Sequence, residues 1–382
     1  MTLQEILSNE ELRRNEFPVA RNKVFLGHAG VCPLPRRVAE AIAHYSFNAT
    51  ADDQESQLAP LLRETRALAA QLLGAQPEEV SFVGPTSLAL SLVAAGLRWR
   101  RGDNVVIYHD DYPTNVYPWL ALASRGVQVR FLNIKELGRI RTHDVVGQVD
   151  EGTKLVALTS CHFVSGWRIE LDAIGKALRE RGILFSVDGI QTLGAFPTTV
   201  EHVDFLAADA HKWLLGPCAA GILYVKKDLQ ERLSPPVLGW NNVRCPDYVA
   251  QDEVVFRSGP ARFEAGTHNL VGLVGLKAAL ELLLEIGVDN IAAELLRKRK
   301  WLVPALREKG WTVLNANAPA ANCGGIITLH RADADLPALH QRLADANIVT
   351  SLRADRTGRK YIRLSPHFYN TDEELRQVME IL

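Results

Sequence analysis

The chain has 382 residues, 47% of them hydrophobic, so it is long enough for two domains or for one large domain with an appendage. Its 43 basic and 44 acidic residues give a formal net charge of −1, which argues against a nucleic acid or an anionic membrane surface as partner. The five cysteines are scattered, odd in number and without metal-site spacing, so we expect neither a disulfide framework nor a metal centre.

The first residues, MTLQEILSNEELRRNEFP, are charged and predict helix rather than a signal peptide. No apolar run reaches the length of a membrane span. We therefore expect a protein of a reducing, cytoplasmic compartment that has no membrane partner.

Short apolar runs recur between residues 79 and 225, and amphipathic stretches such as SLALSLVAAGLRW separate them. The runs are VSFVG, NVVIYH, VQVRFLN, KLVALTS, ILFSVD, VDFLAAD and GILYV. Most are uninterrupted, which is typical of strands buried on both faces and predicts a mostly parallel seven-stranded sheet of an α/β protein. Only about eight residues join Lys212 to GILYV, too few for a crossover, so this strand is predicted to be antiparallel.

The pattern changes after LGWNNVRCPDY, where two long helices are followed by shorter strands and helices. This order predicts a smaller α+β domain at the C-terminus. Thr371 and Glu374 have the spacing of a capping box at the start of the last helix. We expect an N-terminal segment (1–20) that packs with the small domain, a large domain (21–260) and a small C-terminal domain (261–382).

Polar residues follow several of the predicted strands. Asp188 ends ILFSVD, and Thr86 and Ser87 follow VSFVG. VDFLAAD ends at Asp209 and is followed by His211 and Lys212, and NVVIYH ends at His109 and is followed by the turn DDYPTN. Ligand sites of parallel sheets lie at the carboxyl ends of the strands, so these side chains are expected to meet at one edge.

The residue types at this edge indicate one cofactor. A desolvated lysine is a nucleophilic amine, an aspartate holds a protonated ring nitrogen, and hydroxyls at a helix N-terminus bind a phosphate. Taken singly, the lysine is more often a solvated loop residue, and the other residues are more often helix caps. Their convergence predicts a pyridoxal 5′-phosphate site.

At this point the sequence resembles a known family. SVDGIQTLGAFPTTVEHVDFLAADAHKWLLGP is similar to the signature block of the class V aminotransferase family of fold-type I pyridoxal-phosphate enzymes, which also includes cysteine desulfurases, selenocysteine lyases and isopenicillin N epimerases. Four further stretches resemble its flanking motifs: FLGHAGVCPLPRRVAEAI, HDDYPTNVYPW, RFEAGTHN and IRLSPHFYNTDEEL. The resemblance spans nearly the whole chain and implies a fold-type I architecture.

The resemblance implies roles for residues around the cofactor ring. Lys212 would form the Schiff base and later move protons at Cα. Asp188 would pair with the pyridinium nitrogen, and Gln191 would hydrogen-bond to the phenolic oxygen.

The resemblance also implies the phosphate and carboxylate contacts. Thr86, Ser87 and His211 match phosphate-binding positions. Thr267 matches a residue that reaches the phosphate of the partner subunit's cofactor, which implies a homodimer with shared active sites. Arg363 matches the arginine that binds the carboxylate of an amino-acid substrate, a role suited to its bidentate fork.

Some positions depart from the family pattern. The segment SLRADRTGRKYIR lacks the nucleophilic cysteine that desulfurases carry before the arginine, so persulfide-forming activity is not expected. Tyr112 or His109 replaces the histidine that stacks on the cofactor ring, and we favour Tyr112. The family's asparagine falls at about Phe163, so His162 or the backbone would serve there, unless His162 is a buried structural residue.

We predict from these features a pyridoxal-phosphate enzyme that acts at Cα of an amino acid, with aminotransferase as the main hypothesis. His28 is a further candidate for substrate binding. The alternatives are a C–S or C–Se lyase or an epimerase without the desulfurase cysteine, and a catalytically silent relative that binds cofactor or amino acid. A P-loop or dinucleotide-binding protein is excluded because both glycine motifs are absent.

Overall fold

The computed structural model describes all 382 residues. Its helices are α1 (Leu3–Ser8), α2 (Glu10–Glu16), α3 (Arg36–Asn48), α4 (Leu58–Leu73), α5 (Thr86–Gly96), α6 (Tyr117–Leu120), α7 (Thr142–Val146), α8 (Leu171–Arg179), α9 (Leu270–Ile286), α10 (Val288–Glu308), α11 (Leu336–Asp345) and α12 (Asp372–Ile381). None of them has both the length and the apolar composition that crossing a membrane requires.

The strands belong to three sheets. They are β1 (Val24–Phe25), β2 (Val80–Val83), β3 (Asn104–Ile107), β4 (Gln128–Phe131), β5 (Thr153–Thr159), β6 (Leu184–Asp188), β7 (Phe205–Ala208), β8 (Gly221–Val225), β9 (Thr312–Val313), β10 (Ile327–His330), β11 (Ile348–Val349), β12 (Ser351–Ala354) and β13 (Lys360–Leu364).

Seven strands form the large sheet, in the order β2-β8-β7-β6-β5-β3-β4. All neighbouring pairs are parallel except those of β8, which runs antiparallel to β2 and β7. The seven apolar runs of the sequence are these seven strands, and GILYV is the reversed one. The predicted α/β sheet is therefore confirmed.

Both faces of the large sheet are buried, because successive side chains of a strand point to opposite faces. In β5, Val156 and Leu158 belong to one core and Leu155 and Ala157 to the other. Helices α4, α8 and α9 cover the first core, and α5 and α6 cover the second. This burial on two sides explains why the strands are uninterrupted apolar runs in the sequence.

Four antiparallel strands form a second sheet, in the order β12-β13-β10-β9. Its apolar face, with Leu329, Ile362 and Leu364, packs on α11, α12 and the second half of α10. The parallel pair β1 and β11 joins an early part of the chain to this region. The predicted α+β character of the C-terminal part is confirmed, including the capping box of Thr371 and Glu374.

The change from one core to the other occurs within α10. Leu276 and Leu283 place α9 in the core of the large sheet. Along α10, Leu295 still belongs to that core, whereas Leu302 belongs to the core of the small sheet. This change of packing partner comes later than residue 260, and the domain boundary placed there stays a prediction.

The N-terminal helices lie against the end of the chain. Arg13 donates to the Glu374 carboxylate at 2.7 Å and to the Tyr369 carbonyl at 3.3 Å. The rings of Phe17 and Tyr369 stack with centroids 4.0 Å apart, and Ile6 enters the core of the large sheet. The segment thus contacts both regions, and its assignment to the small domain stays a prediction.

Candidate active site

The predicted site residues come from elements whose ends meet at one edge of the large sheet. β6 ends at Asp188, which pairs with Ala207 of β7, so the turn after β7 that carries Lys212 begins beside it. α5 begins at Thr86, close behind β2, and the Thr86 hydroxyl accepts a hydrogen bond from the Asp209 N–H at 3.0 Å. This bond fixes the start of α5 against the lysine turn.

Lys212 is buried, with 7% of its surface exposed, and its Nζ donates to no protein group. The nearest aromatic face is that of Tyr112, whose ring centroid lies 5.2 Å from Nζ. Burial lowers the pKa of Lys212 to about 8, against the opposing effect of Asp188, and the positive charges of Arg363 and Arg353 lower it further. A lysine with a lowered pKa and no acceptor is a nucleophilic amine.

Asp188 is also buried, and its two oxygens differ. Oδ1 accepts the Ile190 N–H at 3.0 Å, whereas Oδ2 accepts no hydrogen bond from the protein. Burial raises the pKa of Asp188 to about 6, and the nearby charge of Lys212 partly opposes this shift. The free oxygen can therefore accept a proton-bearing ring nitrogen.

The N-terminus of α5 offers donors to an anion. The backbone N–H groups of Thr86 and Ser87 have no acceptor in the protein, because the helix turns begin after them. The Ser87 hydroxyl lies 2.9 Å from the Thr114 hydroxyl. Free N–H groups at the positive end of a helix of this length form a phosphate cradle.

His211 and Asp209 form a pair beside this cradle. His211 Nδ1 lies 2.8 Å from Asp209 Oδ2, so the aspartate orients the ring and leaves Nε2 free. Asp209 also accepts the backbone N–H groups of Ala210, Ala219 and Ala220. The carboxylate thus holds both the histidine and the turn that returns to β8. The sequence places Asp209 at this edge, three positions before Lys212, but assigns it no role of its own.

The Gln191 amide is held within the protein. Its Oε1 accepts the Trp213 Nε1–H at 2.9 Å, and its Nε2 donates to the Ala29 carbonyl at 3.2 Å. Gln191 therefore ties the residue after Lys212 to the loop after β1. Its predicted contact with a phenolic oxygen would use the second amide hydrogen and stays a prediction.

Arg363 is buried in β13 without an acidic partner. It donates to the Phe163 carbonyl at 2.7 Å and to the Ser351 hydroxyl at 3.3 Å, while its Nε has no partner. Burial lowers the pKa of Arg363 to about 9, and the charge of Arg353 adds to this shift. A buried guanidinium with free donors fits a carboxylate that comes from outside the chain.

The loop after β3 contains the aromatic candidates. The ring of His109 stacks on Phe131 with centroids 4.3 Å apart, so it does not cover Lys212. Tyr112 does lie over Lys212, and its ring meets Phe163 edge to face at 5.3 Å. Of the two candidates for the ring-stacking position, the geometry favours Tyr112.

His162 is a structural residue. Its Nδ1 accepts the Ser165 N–H at 3.0 Å and its Nε2 lies 2.9 Å from the Asp110 carbonyl. Burial lowers the pKa of His162 to about 4, so its ring stays neutral. The structural interpretation of His162 is thus the one that its contacts support.

His28 and Thr267 lie in contrasting surroundings. His28 is fully buried, and its nitrogens bind the Ser365 carbonyl at 2.9 Å and the Tyr369 hydroxyl at 2.8 Å. Since neither nitrogen is free for a substrate, we do not retain the substrate-binding role of His28. Thr267 is exposed, and its hydroxyl makes no hydrogen bond within the chain.

Asp111 belongs to the turn DDYPTN, and the sequence prediction gave it no role of its own. This carboxylate is buried and accepts hydrogen bonds from the Tyr112 N–H, the Asn115 amide and the Thr159 N–H. Burial raises the pKa of Asp111 to about 7, and the charge of Asp188 contributes to the shift. Asp111 positions the Tyr112 loop against β5, and its place in the polar turn four residues after the end of β3 was the available signal.

Comparison with known proteins identifies the family. The sequence model of the family described as Aminotransferase class-V matches residues 24–378. The chain belongs to the class V aminotransferase family. A probable cysteine desulfurase of Methanothermobacter thermautotrophicus is 34% identical over 293 residues, which cover 75% of this chain and 72% of that protein. A cysteine desulfurase of Shigella sonnei is 30% identical over 298 residues, 73% of each chain.

Solved structures show the same fold for this class V chain. The apo cysteine desulfurase of Thermococcus onnurineus superimposes with a TM-score of 0.89 at 26% identity, covering 97% of this chain and 96% of that one. The cystine C–S lyase C-DES superimposes with a TM-score of 0.85 at 23% identity, which shows the shared fold. The fold-type I architecture implied by the resemblance is therefore confirmed.

The class V family uses pyridoxal 5′-phosphate, and the donors of this site fit that cofactor. Lys212 Nζ is buried and has no acceptor, as an amine that binds an aldehyde requires. Asp188 keeps one oxygen free for the ring nitrogen. The N–H groups of Thr86 and Ser87, together with His211, would hold the phosphate.

Proposed function

We propose that the protein is a pyridoxal-phosphate-dependent lyase that cleaves the Cβ–S bond of an amino acid. The observation that carries this proposal is the similarity to cysteine desulfurases over about three quarters of the chain, at up to 34% identity. The aminotransferase hypothesis has no comparable support among these relatives, so its lyase alternative is the better supported one.

In this reaction the chain's residues bind and orient an amino acid. Arg363 pairs with the α-carboxylate through its free guanidinium donors, and this fixes the position of Cα. When bound, pyridoxal phosphate supplies the electron sink that makes the Cα–H bond acidic. Asp188 keeps the proton on the ring nitrogen, and Tyr112 covers the region next to Lys212.

Lys212 moves the proton at Cα. Its pKa of about 8 leaves a usable neutral fraction near neutral pH, and no protein acceptor holds its Nζ away from the substrate. Removal of the Cα proton and departure of the sulfur substituent from Cβ, followed by hydrolysis with one water, give pyruvate, ammonia and the departing sulfur species, which is sulfide, a thiol or a persulfide according to the substrate. The electrons of the Cα–H bond form a double bond between Cα and Cβ, and the electrons of the Cβ–S bond leave with the sulfur.

The sulfur is proposed to leave as a small molecule rather than to be stored on the enzyme. A cysteine that stores sulfur has to be accessible and have a low pKa. Cys32 and Cys161 are buried, and burial raises the pKa of each thiol to about 12. The hairpin of β12 and β13 contains no cysteine, and the two cysteines that are not buried, Cys218 and Cys245, lie outside it.

The test is a panel of cysteine, cystine and S-substituted cysteines incubated with the purified, cofactor-loaded protein. We expect pyruvate, ammonia and the sulfur product in equal amounts, without an added keto acid. The sulfur product should be sulfide from cysteine, a thiol from an S-substituted cysteine and cysteine persulfide from cystine. Products that require a 2-keto acid acceptor, with its conversion to an amino acid, would establish the aminotransferase instead. No product and an unchanged cofactor spectrum with every amino acid would indicate the silent relative.

We also propose that the enzyme is a homodimer with shared sites. The exposed Thr267 hydroxyl has no partner in its own chain, and large apolar side chains are exposed elsewhere, among them Phe47, Trp240 and Tyr248. Sedimentation should show a dimer, and Thr267→Ala should weaken cofactor retention in that dimer. A cofactor-loaded monomer with full activity would contradict the proposal.

A further inference from the structure

The hairpin of β12 and β13 places a second arginine beside Arg363. Ser351 pairs with Arg363 and Arg353 pairs with Tyr361 across the two antiparallel strands. Residues two apart on a strand point to the same face, so Arg353 lies on the face of the sheet that carries Arg363. The opposite face belongs to the small-sheet core, to which Ile362 contributes.

The tip of this hairpin contacts the loop that carries Tyr112. Arg356 pairs with the Asp110 carboxylate and donates to the His109 carbonyl at 2.7 Å. The hairpin therefore spans from the small sheet to the edge of the large sheet where Lys212 lies. Its inward face is a wall of the proposed active site, and Arg353 stands between the tip and Arg363.

Arg353 has no acidic partner. It is half-buried, its Nη1 donates to the Leu352 carbonyl at 3.0 Å, and it forms no salt bridge. Asp355, an acidic residue of the same hairpin, does not pair with Arg353, because it accepts hydrogen bonds from the Tyr361 hydroxyl and from Thr357. The positive charge of Arg353 reaches the centre of the site, where it lowers the pKa of both Lys212 and Arg363.

We propose that Arg353 binds a second anionic group, carried at the far end of the substrate's side chain. The inference rests on the proposed function, because it assumes that Arg363 takes the α-carboxylate. Two arginines that lack acidic partners on one face of a hairpin offer binding positions for two anions. Arg353 and Arg363 are diagonal neighbours on the two paired strands, and residues in this relation lie about 7–8 Å apart, a spacing that suits a carboxylate several bonds beyond Cα. The substrate class is therefore an α-amino acid whose side chain ends in a carboxylate or a similar oxyanion.

The test compares two ligands of nearly the same shape, S-carboxymethyl-L-cysteine and its neutral amide, S-carbamoylmethyl-L-cysteine. Their dissociation constants are measured on the cofactor-loaded protein from the change in cofactor absorbance. A charge-assisted hydrogen bond favours the carboxylate ligand, and we expect about ten- to a hundredfold tighter binding.

Variants test whether Arg353 causes the preference for the carboxylate ligand over its amide. Arg353→Gln should weaken only the carboxylate ligand, so that both ligands bind alike, and Arg353→Lys should restore part of the preference. Lys360→Gln is the matched control, because it removes one positive charge from the same hairpin on the opposite face of β13, where the side chain is exposed. It should leave the preference unchanged.

Three results would overturn the proposal. Wild-type protein could bind the two ligands equally or prefer the amide, a result that needs no variant to fold. Arg353→Gln could weaken both ligands alike, which would assign Arg353 to the α-carboxylate. It could also change neither affinity, which would remove Arg353 from the site.

Failure of the proposed function is seen separately. If neither ligand yields pyruvate while the carboxylate preference depends on Arg353, the lyase proposal fails and the assignment of Arg353 stands. If both ligands yield pyruvate with equal affinities, the lyase proposal stands and the anion site fails.

Discussion

The molecule buries two lysine side chains, and their surroundings differ. Lys298 in α10 is fully buried, pairs with the Glu294 carboxylate and donates to the Phe368 carbonyl at 3.0 Å. Lys212 donates to no protein group. Burial lowers the pKa of both to about 8, so the pKa alone does not distinguish them. The distinguishing property is the set of acceptors within the chain, which comprises the Glu294 carboxylate and the Phe368 carbonyl for Lys298 and is empty for Lys212.

Two buried arginines repeat the contrast in a weaker form. Arg299 donates to the Ile326 carbonyl at 3.2 Å and the Asn315 carbonyl at 2.8 Å. Arg363 also has two acceptors, but its buried Nε has none. A buried charge with satisfied donors holds the fold, whereas one with free donors costs stability and is retained for a ligand.

The largest expected effect separates the two lysines by function. Lys212→Ala should abolish the absorbance band of the lysine-bound cofactor and lower turnover at least about a thousandfold, because it removes both the amine and the base at Cα. Lys298→Met should keep the band and the turnover of the molecules that remain folded. Absorbance spectra and initial rates measure both. Normal turnover of Lys212→Ala would refute the assignment of the nucleophile.

The next effect separates the two arginines by binding. Arg363→Gln should weaken amino-acid binding by about 2–5 kcal/mol, because the α-carboxylate loses a buried, charged partner. Arg299→Gln should lower the free energy of unfolding and leave the dissociation constant unchanged. Titration of the cofactor absorbance with amino acid measures the affinities. Equal affinities of wild-type protein and Arg363→Gln would remove Arg363 from the site.

A smaller effect concerns stability. Lys298→Met removes the charged hydrogen bond to Glu294, whose carboxylate keeps Arg297 as a partner, so the free energy of unfolding should fall by roughly 2–3 kcal/mol. Lys212→Met removes a buried charge without losing a bond and should not destabilise the cofactor-free protein. Urea denaturation at equal m-values compares the two variants. Equal losses of unfolding free energy in the two variants would show that the lack of acceptors at Lys212 does not distinguish its contribution to stability from that of Lys298.

The sequence predicts the position of Lys212 in the fold but not the burial of Lys298, and the difference has a physical reason. Apolar runs and short connections are local signals, and they place Asp188 and Lys212 at strand ends of one sheet. Lys298 lies in LLRKRKWL, which looks like a solvated helix face, and its acceptor Phe368 is 70 residues away along the chain. Burial of that kind depends on contacts that no local pattern contains.

Other site assignments failed or were missed for the same reason. His28 is polar and lies near the motif residues in sequence, but its nitrogens are used by Ser365 and Tyr369, more than 300 residues further along the chain. Arg353 became visible only through the register that sets it on the face of Arg363. Residue types and strand ends locate a site, whereas the tertiary contacts decide which side chains are free in it.

The smallest expected effect tests the electrostatics of Lys212 itself. The amine has to lose a proton before it attacks an aldehyde, so cofactor loading of the apo protein should speed up as pH rises and level off above the lysine pKa of about 8. Between pH 7 and pH 8 the neutral fraction, and with it the loading rate, should rise about fivefold. Because the charge of Arg363 lowers the pKa of Lys212, Arg363→Gln should shift the midpoint to higher pH, and Lys298→Met should not. A wild-type loading rate that still climbs tenfold per pH unit up to pH 10 would mean that Lys212 keeps an ordinary pKa and that its burial leaves the charge solvated.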